Sequence, residues 1–306
     1  MTSDLDHTRG ANMSHHDSIE WGPLAEPVHH DVVDERPWRD NAYLCFWDPT
    51  HDLYGALHVS TSPNAEGRRA RLTVHVGDRM EQIVESVEPG TVSSESITFD
   101  FGDRFVVDGP NLSGELVWSP RFALADYTGD RAPAGFEYDV KEPLAHYQRA
   151  ATVTGNLRVA DTDYQVHGEG VRDRTWGFRD ESLNLRETVG FFWVFPDYAI
   201  SAFRVMLTNG TEKLQGYRLT SAGADPVERF SIRRDAMGLF AGTEIGFEDG
   251  SSTDVRADRR GGHFSPMGTE RTGPTHSAYD EFSVLRRADG VTGFGMIEQG
   301  VVRQMH

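Results

Sequence analysis

Short segments in which apolar and polar residues alternate recur along most of the chain. The first two, residues 42–47 and 53–61, flank a turn at residues 48–52, and a third, residues 71–76, ends at another turn. Alternation with a period of two places successive side chains on opposite faces of a β-strand. Short strands separated by Gly and Pro residues are typical of β-sandwiches and β-barrels. The pattern therefore predicts an all-β protein.

The later segments continue this pattern, and none has the 3.6-residue period of a long amphipathic helix. The further predicted strands are residues 82–87, 96–101, 104–107, 114–119, 148–159, 164–175, 188–195, 198–207, 213–220, 227–234, 243–247, 252–257, 279–287 and 292–298. Between residues 126 and 144, four Gly and Pro residues interrupt the period, which indicates a crossover between domains. We therefore predict a flexible lead-in at residues 1–36, a first antiparallel β domain at 37–145 and a second at 146–306, each a barrel or a sandwich.

The charge balance limits the choice of partners. The 306 residues include 30 Lys and Arg against 48 Asp and Glu, which gives a formal net charge of −18. Nucleic acids and anionic membranes are bound by cationic surfaces, so neither is an expected partner. No apolar stretch approaches the roughly 18 residues of a membrane helix, and the N-terminus lacks the apolar core of a signal peptide. We expect a cytoplasmic protein with its single cysteine, Cys45, in the core; the sequence leaves its oligomeric state open.

The densest combination of charged and aromatic side chains lies in residues 164–180, which read YQVHGEGVRDRTWGFRD. If residues 164–175 form a regular strand, its two faces carry different side chains. One face then carries His167, Glu169 and Asp173, and the other carries Arg172, Arg174 and Trp176. A bulge at Gly168 or Gly170 would break this parity. Arg and Asp at this spacing can form bidentate pairs, and this motif is the predicted site.

An aromatic run follows the motif and admits two interpretations. Its members are Phe191, Phe192, Trp193, Phe195, Tyr198 and Phe203. Large aromatic side chains are most often core residues, but together they could also line a concave site for an apolar ligand. Barrels enclose such cavities readily.

A carboxyl group beside an apolar cavity is a candidate general acid, because desolvation raises its pKa and keeps it protonated near neutral pH. Such a group could protonate an alkene or a carbonyl, and aromatic faces would stabilise the resulting cation. Asp173 and Glu169 are the catalytic candidates, and Asp180 and Glu298 are further carboxylates. The alternative for Asp173 and Asp180 is a structural ion pair with a neighbouring arginine.

Other kinds of site lack their sequence signals. His167, Glu169 and Asp173 have a spacing that metal ligands can adopt, but no HExxH motif or cysteine cluster accompanies them. The Gly168-x-Gly170 pair precedes no helix that could bind phosphate, and no GxSxG motif is present. We therefore expect neither a metal ion nor a cofactor.

The motif at residues 166–180 resembles the signature of the carotenoid 1,2-hydratase (hydroxyneurosporene synthase)-like superfamily. The local pattern is most similar to an uncharacterised bacterial branch, G-x-G-x-R-D-H-S-W-G-x-R-D, although Arg174 and Thr175 stand where that branch often has His and Ser. Residues 147–155 and 293–298 agree as well. The resemblance implies two lipocalin-like β domains in a superfamily that includes hydratases and pericyclases of the Diels–Alderase type.

Two functional hypotheses follow. The first is an enzyme that hydrates, isomerises or cyclises a hydrophobic small molecule, such as a terpenoid, polyene, steroid or polyketide, with Asp173 or Glu169 as the proton donor. Its predicted substrate-binding residues are Trp176, Arg172, Arg179, Trp193, Tyr198 and His167. The second is a non-catalytic, lipocalin-like carrier or sensor of an apolar ligand, in which the motif is a structural corner.

Overall fold

The computed structural model describes residues 21–29, 37–64, 67–128, 144–178, 185–267 and 275–303. Apart from one short 3₁₀ turn at Gly22–Ala25, their regular structure consists of antiparallel β-strands, which confirms the predicted all-β class. None of these described segments forms a helix with the length and apolar character of a membrane span.

The first ten strands form a curled sheet. They are β1 (Trp38–Asp48), β2 (Leu53–Thr61), β3 (Arg68–Val76), β4 (Arg79–Ser86), β5 (Ile97–Phe99), β6 (Arg104–Asp108), β7 (Leu112–Pro120), β8 (Ala125–Asp126), β9 (Ala145–Val159) and β10 (Thr162–Phe178). Their spatial order is β4-β3-β2-β1-β10-β9-β7-β6-β5, and β8 also pairs with β9. β10 pairs with β9 from Thr162 to Trp176 without a register shift. The predicted division of the motif into two faces is therefore confirmed, and no bulge breaks it.

The last eight strands close into a barrel in chain order, with β18 paired to β11. They are β11 (Leu185–Val194), β12 (Ala199–Leu207), β13 (Glu212–Leu219), β14 (Ala224–Arg234), β15 (Phe240–Phe247), β16 (Ser252–Met267), β17 (Thr275–Arg287) and β18 (Thr292–Arg303). One buried cluster of the barrel contains Phe191, Trp193 and Phe195, and Trp193 stacks on Phe191 with ring centroids 4.0 Å apart. For Trp193 and Phe195 the core interpretation holds, whereas Phe191 is a core residue that also lines a cavity.

The boundary between the two β units differs from the predicted one. The prediction began a second domain at residue 146, but β9 and β10 belong to the curled sheet. β10 pairs with β1, which is distant in sequence, and alternation within a strand carries no information about a distant partner. The motif therefore lies in the first unit, beside the barrel.

Part of the predicted flexible lead-in is packed against the curled sheet. Trp21 and Leu24 are buried. The Arg172 guanidinium stacks over the Trp21 ring at 4.2 Å and donates to three backbone carbonyl groups, among them that of Leu24 at 3.1 Å. Arg174 donates to two further carbonyl groups of the same segment. The arginine face of the motif therefore fixes residues 21–29 to the sheet.

Strand β1 shows how the curled sheet buries both of its faces. Leu44 and Phe46 pack in a core within the curled sheet, whereas Cys45 and Trp47 pack in a second core, which we call the interface core. The barrel contributes Phe192, Val194, Phe203 and Phe282 to the interface core. The alternation along β1 thus divides its side chains between the core of its own unit and the contact with the barrel.

Candidate functional site

A cavity of about 150 Å³ lies between the curled sheet and the barrel. Its apolar walls include Val171, Phe192, Phe203 and Met296. Its polar side chains include Tyr43, His58, His146, Gln148 and Asp173 from the sheet, and Ser265, Asp280 and Glu298 from the barrel. An apolar concavity with a few convergent polar groups is the usual composition of a small-molecule site.

Strand register aligns the polar side chains of the curled sheet in one row. Across β2, β1, β10 and β9, the directly paired residues are His58, Tyr43, Asp173 and Gln148. Side chains of directly paired residues share one face of a sheet. His146 pairs with Thr175, two residues beyond Asp173 and on the same face. The register therefore brings His146 next to Asp173.

A second row crosses the barrel strands on the other side of the cavity. From β16 through β17, β18 and β11 to β12, the directly paired residues are His263, Asp280, Glu298, Gly190 and Phe203. A Cβ atom added to Gly190 would lie 3.5 Å from the nearest atom, Phe203 Cβ, which is an ordinary contact. The missing side chain at Gly190 therefore leaves room in the cavity.

Asp173 is ionised because its neighbours stabilise the charge. Its Oδ2 atom lies 2.7 Å from His146 Nε2 and accepts a hydrogen bond from Gln148 Nε2, also at 2.7 Å. Its Oδ1 atom accepts one from Thr175 Oγ1 at 3.3 Å. Burial alone raises the pKa of Asp173, but the charge of His146 and the hydrogen bonds outweigh it, so the pKa lies below its ordinary value. This is the opposite of the protonated state that a general acid requires.

A chain of hydrogen bonds connects Asp173 to the barrel. Gln148, which donates to Asp173, accepts a hydrogen bond from the Ser201 hydroxyl of β12. The hydroxyl groups of Ser201 and Tyr127 are in turn bonded to each other, and the Tyr127 ring stacks on His146 with centroids 4.9 Å apart. Both nitrogen donors to Asp173 are therefore held by residues that contact the barrel or belong to it.

Asp280 has fewer partners. Only 2% of this residue is exposed. Its Oδ2 atom accepts a hydrogen bond from Ser265 Oγ at 3.1 Å and lies 3.6 Å from His263 Nε2, while no described residue donates to its Oδ1 atom. Burial raises the pKa of Asp280 to about 6, against the smaller opposing effects of the Ser265 hydrogen bond and the Arg71 charge. Asp280 therefore has the property that the sequence led us to expect at Asp173.

His263 is the imidazole next to Asp280. Burial lowers the pKa of His263 to about 4, with further lowering from the charges of His75 and Arg71. Burial also lowers the pKa of His75, whose ring stacks on that of His263 with centroids 5.8 Å apart. At neutral pH, His263 of the barrel is therefore a neutral imidazole next to Asp280, and His75 of the curled sheet is a second one stacked on it.

The two aspartates act on the same pair of side chains. Burial raises the pKa of the Tyr43 hydroxyl well above its ordinary value, and the charges of Asp280 and Asp173 add to this effect. Burial and the same two charges raise the pKa of the Cys45 thiol. Asp173 and Asp280 therefore share one electrostatic environment. Tyr43 stays neutral within it and donates to Met296 Sδ at 2.8 Å.

Of the predicted site residues that the structure describes, Asp173 lines this cavity and the others lie elsewhere. Glu169 is paired with Arg121; burial raises its pKa, and the arginine partly offsets that rise. His167 is exposed, and its backbone N–H donates to Asp48 Oδ2. These two side chains share a face of β10 with Asp173 but lie farther along the strand, away from the cavity.

The predicted aromatic and arginine residues occupy structural positions. Trp193 is in the barrel cluster described above, and Tyr198 packs on Phe195. Trp176 stacks on His29 with ring centroids 4.6 Å apart, on the arginine face of β10 with Arg172. Arg179 and Asp180 lie outside the described residues.

Asp280, His146 and Tyr43 line the cavity but are not among the site residues predicted from the sequence. One signal was available for Asp280, because it has the same strand parity as the buried Ala278 and Phe282. A carboxylate on the apolar face of an alternating strand is a buried charge, which is rare without a reason. His146 gave no such signal, since it precedes the strand predicted at residues 148–159.

The cavity thus contains an ionised carboxylate bound to a histidine and a second carboxyl group with a raised pKa. The first arrangement can orient the imidazole and stabilise its charge, and the second can donate a proton. Among the described residues, no group of three or more His, Cys, Asp or Glu side chains is placed to hold a metal ion.

Solved structures with the same two-unit β architecture are similar over nearly the whole chain. The structure of CghA with Sch210972 has a TM-score of 0.64 at 11% identity and covers 95% of this chain and 98% of CghA. Kievitone hydratase from Nectria haematococca has a TM-score of 0.58 at 14% identity and covers 92% of this chain and 95% of its own. A putative AttH from Nitrosomonas europaea has a TM-score of 0.62 at 14% identity, with 92% and 96% covered. At these identities the likeness shows the fold.

Sequence comparison gives the family. No curated protein sequence matches the chain. A family model described as a domain of unknown function, DUF7064, matches residues 24–301, which include the curled sheet, the barrel and every residue of the cavity. The chain therefore belongs to the DUF7064 family.

Proposed function

We propose that this protein is an enzyme that transforms an apolar small molecule by acid–base chemistry in the cavity between the curled sheet and the barrel. The observation that carries the proposal is a pair of carboxyl groups in one cavity with pKa values moved in opposite directions, lowered at Asp173 and raised to about 6 at Asp280. Such divergence separates an acid from a base in active sites.

The roles follow from the hydrogen bonds. Asp280 donates its proton from Oδ1, the oxygen to which no described residue donates. In its neutral form His146, whose Nε2–H donates to Asp173 Oδ2 at 2.7 Å, accepts a proton from water or from the ligand at its other ring nitrogen, Nδ1. In a hydration, the Asp280 proton adds to one alkene carbon and the water oxygen bonds to the other; one water proton stays on the product hydroxyl, and His146 takes the second. In an isomerisation or a cyclisation, the proton that His146 takes comes from the ligand.

The reaction class rests on fold relatives as well as on geometry. Kievitone hydratase is by its name a hydratase, and CghA was solved with the small molecule Sch210972. A shared fold does not transfer an activity, but it supports a small-molecule hydratase or cyclase over an unrelated role. A cavity of about 150 Å³ accommodates one ring or a short branched chain. We therefore infer that the ligand inserts one small end that carries the reacting carbon atoms.

Native mass spectrometry and solvent extraction of the purified protein test the proposal first. We expect a co-purified apolar molecule, and incubation with fresh protein should convert it to a product with one added water or with unchanged mass. Asp280→Asn should retain the ligand and lose turnover by about 100-fold or more. Binding without any turnover by the wild-type protein would support a carrier and contradict the enzyme.

A further inference from the structure

The side chains that line the cavity are unbalanced in charge. Three of them are carboxylates, Asp173, Asp280 and Glu298, of which Asp173 is paired with His146, and among the described lining residues there is no Lys or Arg. Arg71 approaches Asp280 from β3 but does not line the cavity. Low-dielectric surroundings strengthen the effect of these charges on anything bound between them. A carboxylate or phosphate buried here would meet like charges.

The hydrogen-bonding groups of the cavity also favour a ligand that donates hydrogen bonds. The Tyr43 hydroxyl donates to Met296, the Gln148 amide donates to Asp173, and His146 Nε2 is also bonded to Asp173. These donors are therefore already engaged. By contrast, Asp280 is 2% exposed, and its Oδ1 atom receives no hydrogen bond from any described residue. A buried acceptor without a donor is costly, and a ligand N–H would satisfy it.

The apolar walls suit a cation as well. Phe192 and Phe203 line the cavity, and aromatic rings attract positive charge. We propose that the cavity is selective for ligands whose inserted end is positively charged, either as a protonated amine or as a cation formed during the reaction, and that it excludes ligands with a carboxylate or phosphate at that end. This inference rests on the proposed function, because it concerns the same cavity, and it names the substrate class.

The acid–base chemistry agrees with this selectivity. When Asp280 gives its proton to a neutral ligand, the ligand gains the positive charge and Asp280 gains the negative charge beside it. Proton and charge are thereby balanced within the cavity. A protonated amine bound next to ionised Asp280 has the same pair of charges, so it resembles the state after proton transfer. An amine probe can therefore test the preference without knowledge of the natural substrate.

Three small aromatic probes of similar size carry a positive, a neutral and a negative polar group on the same ring: benzylamine, benzyl alcohol and benzoate. Their dissociation constants are to be measured by calorimetric titration with the full chain at about pH 7.5, where Asp280 is ionised. We expect benzylamine to bind about tenfold more tightly than benzyl alcohol, and benzoate to bind more weakly than both. In Asp280→Asn the difference between amine and alcohol should fall to about threefold or less.

Two further variants serve as controls. Asp258→Asn removes the same charge from an exposed side chain of the barrel, so the amine preference should persist. Gly190→Val places a side chain in the space between Glu298 and Phe203, so all three probes should lose affinity.

Equal affinities for the amine and the alcohol, or tighter binding of benzoate, would overturn the selectivity and leave the proposed enzyme standing. An amine preference that survives in Asp280→Asn and disappears in Asp258→Asn would also overturn it. If no probe binds, or if Gly190→Val binds them as the wild type does, the cavity is not a ligand site and the proposed function fails with it.

Discussion

Two aspartates of one cavity differ in protonation because their hydrogen-bond partners differ. Asp173 has three polar partners, whereas Asp280 receives a single hydrogen bond, from Ser265. Desolvation acts on both carboxyl groups, so the number of donors decides which form is stable. The cavity therefore has a permanent anion on the wall formed by the sheet and a titratable acid on the wall formed by the barrel.

Replacing Asp280 with Asn should stabilise the protein at neutral pH. Folding raises the pKa of Asp280 from 3.8 to about 6, so above that pH the folded state contains a poorly solvated carboxylate. The stability that this group contributes is greatest below its unfolded pKa and falls as the pH rises through its folded pKa. Denaturant titration at about pH 7.5 should give Asp280→Asn a free energy of unfolding about 1–3 kcal/mol above the wild type.

The stabilisation should vanish at about pH 4, where the Asp280 carboxyl group is protonated in the folded protein. Asp258→Asn, at a side chain that is 59% exposed, should change the free energy of unfolding by no more than about 0.5 kcal/mol. Destabilisation of Asp280→Asn at neutral pH would contradict the raised pKa.

Sequence reasoning identified one of the two aspartates, and the difference has a physical cause. Asp173 is conspicuous because arginines and a tryptophan surround it in sequence. Asp280 and His146 acquire their roles from strand neighbours and from burial between two units. Neither a pKa nor an unsatisfied oxygen can be predicted for such residues before the strands are paired.

The two faces of strand β10 have different roles. The face with Arg172 and Arg174 binds the segment 21–29, and the face with Asp173 lines the cavity. Since successive side chains alternate between the faces, the described arginines of the motif have a structural role and Asp173 belongs to the site. Arg172 and Arg174, the two motif arginines that the structure describes, therefore have structural positions.

Arg172→Lys should loosen the segment 21–29. Arg172 donates to three backbone carbonyl groups, and a lysine cannot reproduce the planar guanidinium that reaches all of them. We expect a loss of about 2–5 kcal/mol in the free energy of unfolding and faster proteolysis within this segment. Arg204→Lys, at a partly exposed arginine 3.7 Å from Glu212, should cost less than about 1 kcal/mol. Equal effects of the two variants would refute the role of Arg172.

Gly168→Ala should weaken the pairing of β10 with β1. A Cβ atom at Gly168 would lie 1.8 Å from the backbone oxygen of Trp47, so the two strands would have to separate. The expected cost is about 3 kcal/mol in the free energy of unfolding. Gly190→Ala has no contact shorter than 3.5 Å and should be neutral or stabilising by about 0.5 kcal/mol. A Gly168→Ala protein as stable as Gly190→Ala would contradict the close approach.

At the scale of elements, alternation predicted the β class and most strands, but it did not assign the strands to units. The two glycines of the motif illustrate the limit. They suggested a bulge, whereas they allow close approach to neighbouring backbone and side chains in a regular strand. The backbone atoms that make a glycine necessary, those of Trp47 and Cys45, lie on β1, far from the motif in the sequence.

The whole molecule is joined through side chains that meet between the curled sheet and the barrel. Trp47 and Tyr54 of the sheet both contact Phe282 of the barrel, with ring centroids 5.8 and 4.9 Å apart. His75 and His263 stack beside them. The cavity adjoins this contact, so its two walls depend on the same packing that connects the two units.

His263→Gln should make the free energy of unfolding pH-dependent between about pH 4 and 6. In the wild type, unfolding releases the proton of Asp280 and charges His263, because the pKa of His263 falls from 6.5 to about 4 on folding. Without His263, only the release remains, so stability should decrease with rising pH by about 1.4 kcal/mol per unit relative to the wild type. Urea titrations at half-unit pH intervals measure this difference. Parallel curves for the two proteins would contradict the shifted pKa values.

Asp280 and His263, 3.6 Å apart, therefore bind the same total number of protons in the folded and the unfolded chain between about pH 4 and 6. The unfolded chain has one proton on the imidazole and none on the carboxylate in this range of pH, and the folded chain has the reverse. The total is the same, so mild acidification neither favours nor opposes folding through this pair. A fall in pH can thus protonate Asp280, the acid of the cavity, without a change in the stability that this pair contributes to the fold.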